Sequence, residues 1–205
     1  MTKIINIAIG VVIVALLATG GTLTWLHYHG DQAQSTTLER TYEKWKKTVD
    51  DNPDNSFARA NLAATLMDMG KVDDAISEFK TALDQEPKNF AYMFRLGLAY
   101  RAVDDKASAL DVFKQAAELS PDGEKNDDLY WAGQTSYDMG DLDGAKDFVQ
   151  QSIKDNDMIW NSHYLLGQIL EQQGDKDGAK KEYQTAVKFN PASQEAQDAL
   201  KRVSS

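Results

Sequence analysis

Prolines recur along this chain at a fixed step. Pro53, Pro87 and Pro121 are 34 residues apart, and Pro191 follows after 70, which is 36 and 34 with Asp157 in the vacant place. Ala75, Ala109, Ala145 and Ala179 keep spacings of 34, 36 and 34. So do the small residues Ala63, Gly97, Gly133 and Gly167, the series Ala82, Ala116, Ser152 and Ala186, and the large residues Phe79, Phe113, Val149 and Tyr183. A period of this length marks one supersecondary unit repeated along an axis, in which stacked neighbours bury a core that no unit could bury alone. The two extra residues fall within Ser120 to Lys125, where a loop absorbs an insertion at small entropic cost.

Each unit reads as two helices. In the second, Phe94, Leu98 and Arg101 share one helical face and Leu96, Gly97 and Tyr100 another, while Ala109, Phe113 and Ala116 repeat the helical period in the partner helix. Met69-Gly70-Lys71, Met139-Gly140-Asp141 and Gln173-Gly174-Asp175 put glycine where the first helix ends in a left-handed residue, and the following aspartate is placed to cap the next helix. Proline closes the second helix because it has no N–H to extend it.

In this order (Leu96, Gly97, Tyr100, Asp104, Ala109, Phe113, Ala116, Pro121 in the second unit) the pattern resembles the tetratricopeptide repeat (TPR). The resemblance covers residues 56–193 as four units, 56–89, 90–123, 126–159 and 160–193. It implies an all-α fold, a right-handed superhelical solenoid of helix pairs. Several positions depart from the family. Arg59, Met93, Leu129 and His163 stand where it often has Trp, and Asp104 replaces the turn glycine. Ala132, Ser136, Val149, Ser152 and Asp157 make the third unit the one expected to pack least tightly. The register also runs backwards: Thr41, Trp45, Thr48, Val49 and Pro53 match Ala75, Phe79, Ala82, Leu83 and Pro87 one step on, so residues 37–55 read as a half-repeat helix and turn. Residues 194–205 read as a capping helix with Ala196, Ala199, Leu200 and Val203 on one side.

The amino-terminal end is of different material. Ile4 to Leu26 is 23 residues without a charge, roughly 34 Å as a helix, which is enough to span a bilayer. Trp25, His27 and Tyr28 follow at headgroup depth. The expected organisation is therefore a transmembrane anchor within residues 1–29 preceding the solenoid, a juxtamembrane linker at 30–36, and then the repeats. A secretory signal cleaved near Ala18-Thr19-Gly20 is the alternative. In both cases Lys3 before the apolar run, with no further Lys or Arg until Arg40, leaves the amino terminus cytoplasmic and the repeats periplasmic or extracellular. All 32 acidic residues are at or after Asp31, so the chain beyond this segment carries −11, and Lys3 brings the total to −10. An acidic solenoid lacks the Lys and Arg surplus that nucleic-acid binding requires.

If first helices line the concave side, as the resemblance implies, the groove presents Phe57, Ala60, Asn61, Ala64 and Met67, then Phe94, Arg95, Leu98 and Arg101, then Tyr130, Trp131, Gln134 and Tyr137, and finally Tyr164, Gln168 and Glu171. Large amphipathic rings with two guanidiniums are the residue types of binding hot spots, and they point to a partly apolar protein or peptide partner. The competing reading has the rings filling space between units and Arg95 and Arg101 paired internally. Ala60 and Ala64 stand where some family members carry a carboxylate clamp of Lys and Asn, so a cytosolic heat-shock co-chaperone role is not expected.

No catalysis, cofactor or metal is expected. Cysteine is absent, and His27, His29 and His163 are scattered. The turns at Asp141–Gly144 and Asp175–Gly178 fail as calcium loops, because Met139 and Gln173 fall at the first ligand place and Gln150 and Gln184 at the last. The sequence thus points to a tethered scaffold resembling bacterial periplasmic assembly factors, such as those of cytochrome c maturation or translocon-associated ones. A permanent accessory subunit of a membrane complex is the alternative.

Overall fold

The computed structural model of the chain describes residues 22–204, with side chains from Thr36 onward. These residues form ten helices and no strand: α1 (Thr22–Asp51), α2 (Ser56–Asp68), α3 (Val72–Gln85), α4 (Phe90–Ala102), α5 (Lys106–Leu119), α6 (Asn126–Asp138), α7 (Leu142–Asp155), α8 (Trp160–Gln172), α9 (Lys176–Phe189) and α10 (Gln194–Ser204). Each helix packs on its neighbours in chain order, from α1 on α2 to α9 on α10, which is the connectivity of a TPR solenoid.

Every α-helical unit is punctuated as the sequence predicts. Gly70, Gly140 and Gly174 have φ of 73°, 83° and 84°, and Asp104 takes the same left-handed role at φ 59°. A short polar side chain tolerates that region better than most. The side chains of Asp105, Asp141 and Asp175 accept from Ser108, Gly144 and Gly178 backbone N–H groups at 3.1, 3.0 and 2.9 Å, so the acidic turns are helix caps. Asn55 and Asn89 cap the first helices of units one and two in the same way. Where proline is missing at Asp157, α7 ends at an Asn156 whose side chain accepts from the Met158 N–H at 3.1 Å, an Asx turn that does the proline's work.

Residues 30–36, read as a juxtamembrane linker, are helical: they lie inside α1, whose 30 described residues span about 45 Å. Gly30 is the only glycine within this helix and no proline occurs before Pro53. A single glycine costs about 1 kcal/mol in a helix, too little to end it. Among the described residues no helix is long and apolar enough to cross a membrane. Most of the proposed anchor, residues 4–21, lies outside the described residues.

Within each unit a small residue of the first helix meets a large one of the second. A Cβ added to Gly97, Gly133 or Gly167 would lie 2.6, 2.6 and 2.5 Å from Phe113, Val149 and Tyr183, well inside van der Waals contact. The large partners are fully buried. The third unit completes its core with polar groups: Ser152 Oγ donates to the Asn126 carbonyl at 2.8 Å and lies 2.9 Å from Ser162 Oγ, while the buried Ser136 hydroxyl has no hydrogen-bond partner among the described residues.

Gly167→Ala is expected to destabilise the fourth unit by about 1–3 kcal/mol in chemical denaturation, because overpacking against the anchored Tyr183 ring outweighs the gain of roughly 1 kcal/mol in helix propensity. Asp104→Gly is expected to stabilise by about 0.5–1 kcal/mol in the same measurement by relieving the left-handed backbone.

Candidate functional site

The first helices crowd one side of the stack. Helix α2 touches α4 and α6 touches α8, whereas no pair of successive second helices meets to the same extent, so these first helices approach one another more closely than the second helices do. The residues expected in the groove are all on these helices. Asn61, Phe94, Leu98, Arg101, Tyr130, Trp131, Gln134, Tyr137, Tyr164 and Gln168 are half-buried, and Arg95 is exposed. Phe57, at the start of the row, is 61% exposed and meets Trp45 of α1 edge-on at 5.9 Å.

Packing and presentation are shared by the same rings. Phe113 of the core is flanked by Phe94 at 5.8 Å and by Trp131, nearly parallel, at 6.3 Å. Tyr130 meets Trp131 edge-on at 5.4 Å. Further along, Tyr164 lies 6.3 Å from Trp160 and 5.7 Å from Tyr183. Phe94, Leu98 and Trp131 therefore seal the joint between units two and three while leaving part of their surface in the groove.

Arg101 is not offered to a partner as a free cation. Its guanidinium lies 5.0 Å over the Trp131 ring, donates to Thr135 Oγ1 at 2.8 Å and pairs with Asp138 at 2.8 Å, which in turn accepts from Gln134 at 2.9 Å. It locks α4 to α6. Arg95, by contrast, makes no ion pair among the described residues. Glu171 is likewise occupied: Arg202 of α10 grips both its oxygens at 2.9 and 2.7 Å, and the Tyr183 hydroxyl donates to it at 2.8 Å. These bonds, the Arg202 one foremost, hold the Glu171 carboxyl below the usual range. Burial raises the Tyr130 phenol, which Arg101 and a hydrogen bond to Asn161 partly offset. Tyr137 is also raised by burial, against the pull of the Gln172 amide that donates to its hydroxyl.

The sequence reading missed the residues that hold this row in place: Thr135, Asp138, Asn161, Gln172 and Arg202. A signal existed for Asp138 alone, since it lies one helical residue after Tyr137, the counterpart of Arg101. A separate cavity of about 680 Å³ lies between the second helices α5 and α7, under the loop of the two extra residues. Its lysines Lys114, Lys125 and Lys154 are balanced by Glu118, Asp122 and Asp155. Among the described residues no cluster of His, Asp and Glu is arranged to hold a metal ion.

Tetratricopeptide-repeat family models match residues 60–124 and 160–193. The third unit, with its polar core, lies between the two matches. Among solved structures, MamA superposes with a TM-score of 0.71 at 23% identity over 78% of this chain and 93% of that one. YrrB, described as a TPR protein with an unusual peptide-binding site, gives 0.66 at 18% identity over 79% and 82%. PilF of Pseudomonas aeruginosa gives 0.72 at 14% over 88% and 87%. Identities this low carry the fold, and the fold is the TPR solenoid read from the 34-residue period.

Arg101→Gln is expected to lower stability to chemical denaturation by about 1–2 kcal/mol, the size of a charged hydrogen bond lost with its ring contact. Arg95→Gln should stay within about 0.5 kcal/mol of the unaltered chain.

Proposed function

We propose that this chain is a scaffold, tethered to a membrane through residues 4–26, that binds a protein or peptide in its concave groove on the periplasmic or extracellular side. The observation that carries the reading is the row of half-buried aromatic side chains on α4, α6 and α8, with the unpaired Arg95 beside it. Side chains of this kind, already ordered by neighbours, lose little entropy when a partner covers them. The groove is zoned. Phe57, Ala64, Met67, Phe94 and Leu98 make an apolar first half, Ala60 being buried in the core, and Tyr130, Gln134, Tyr137, Tyr164 and Gln168 a second half rich in hydroxyl and amide groups. An amphipathic segment with an apolar end and a polar end, bearing a carboxylate near Arg95, fits that division.

The charge-free run, the lone Lys3 ahead of it and the wholly acidic remainder support the tether and its orientation. The continuity of α1 through residues 30–36 supports a solenoid held at a fixed height above the bilayer. YrrB's peptide-binding site is consistent with a peptide partner here. Assembly or maturation of membrane or exported proteins is the role in which such a tethered groove serves best. A permanent accessory subunit is the second reading, favoured by the helical continuity of α1, and native mass analysis after detergent extraction separates the two: a stoichiometric complex supports the subunit.

A photoreactive residue at Gln134 is expected to capture one partner that the same probe at Lys180, on a second helix, does not. Tyr130→Ala with Tyr137→Ala should reduce capture about tenfold or more with helicity unchanged. Arg95→Glu, which breaks no ion pair among the described residues, should reduce it severalfold. Equal capture by all variants would overturn the groove assignment.

A further inference from the structure

His163 and Arg59 occupy the same place in the fourth and first units, and they make the same two contacts. On α2, Arg59 pairs through Nη1 with Glu78 of α3 at 2.8 Å and donates through Nε to the Pro53 carbonyl at 2.9 Å. On α8, His163 Nδ1 lies 2.7 Å from Glu182 of α9 and Nε2 lies 2.9 Å from the Asp157 carbonyl. Glu182 is the repeat counterpart of Glu78, and Asp157 of Pro53. In both units a cation ties its own second helix to the carbonyl that closes the preceding unit. The guanidinium does this at every physiological pH. A carbonyl and a carboxylate can only accept, so the imidazole makes both bonds only with a proton on each nitrogen.

The surroundings of His163 favour that charged form. Burial lowers its pKa, but the Glu182 hydrogen bond, the Asp157 carbonyl and the two carboxylates outweigh burial and leave it raised. The Phe189 ring of α9, 5.8 Å away, completes the site without a charge. The other junction of the third unit also holds a buried titratable group. Asp128 of α6 accepts from the hydroxyl of Ser120, which closes α5, at 2.6 Å. Its counterparts Ala58, Tyr92 and Ser162 carry no such acid. Burial pushes the Asp128 carboxyl up to about 6, with Asp127 adding to the rise and Ser120 opposing it.

We infer that the third unit is joined to its neighbours through two proton-dependent sites, the contacts of His163 with Glu182 and Asp157 and the buried carboxyl of Asp128, so that mildly acidic conditions tighten the α6–α8 part of the groove. The sign is the same for both. His163 contributes fully below pH 6.5, its unshifted value, and loses that contribution as pH rises through its raised folded value. Asp128 is best accommodated when protonated, and its support is lost between 3.8 and about 6. The consequence for a partner rests on the groove reading; the junctions do not.

Amide hydrogen exchange of the full-length chain in detergent, corrected for intrinsic rates, tests this at pH 5.5, 6.5 and 8. Protection of α8 is expected to fall about tenfold or more between pH 5.5 and 8, the worth of one charge-assisted hydrogen bond. His163→Arg should keep it high at all three values, as Arg59 does for the first unit, and His163→Gln should keep it low and flat. Asp128→Asn should remove the part of the slope in α6 that lies below pH 6.5. The inference is overturned if His163→Arg retains the unaltered slope, or if the His163 ring, followed by its proton resonances in the unaltered chain beside those of His27 and His29, titrates below 6.5. None of these readouts needs a partner, so a failed groove leaves them standing, and a failed pH response leaves partner capture at Gln134 intact.

Discussion

The solenoid depends on how closely the two helices of each unit approach. Where Gly97, Gly133 and Gly167 face Phe113, Val149 and Tyr183, there is no room for even a methyl group on the first helix. Glycine in mid-helix costs about 1 kcal/mol, and the close approach returns it by burying the facing side chain completely. That spacing sets where the next unit can sit, and with it the distance between successive first helices that defines the groove. The first unit solves the same problem with Ala63 against Phe79, both buried.

The third unit follows the same geometry with different chemistry. Ser136 and Ser152 stand where other units have Leu or Tyr and Ala, and Asn126 and Asp128 are buried at the start of α6. Hydrogen bonds from Ser152 to the Asn126 carbonyl and from Ser120 to Asp128 replace apolar burial. Such contacts are directional, and the buried Asp128 carboxyl beside Ser120 also titrates, whereas ring-on-glycine packing does neither. The unit that contributes Tyr130, Trp131 and Tyr137 to the row is therefore also the one whose joints respond to conditions.

Periodicity made most of the fold legible. A 34-residue step, glycine at the turns, aspartate at the caps and proline at the ends each have one local physical meaning, and each holds in the structure. The helical state of residues 30–36 was not legible, because they contain polar and turn-forming types whose preferences a continuing helix overrides at small cost. The groove was legible as a set of residues on first helices, but not in its division of labour. Nothing in the sequence around Arg101 tells that its charge is already taken by Asp138 and Trp131, since both lie more than 29 residues away. Arg95 and Arg101 look alike in sequence and differ entirely in what surrounds them.

The sequence by itself determined the repeat, its four units with a half-unit before and a cap after, the acidic solenoid set beyond an apolar run, and the face on which the aromatic residues gather. All of these are periodic or compositional properties, which survive without knowledge of long-range neighbours. Only the tertiary structure decided which groove residues are spent on holding units together, that Glu171 is gripped by Arg202, and that His163 repeats the contacts of Arg59. These depend on side chains brought together from different helices, and a distance of 2.7 Å between His163 and Glu182 is a property of the stack, not of any stretch of chain within it.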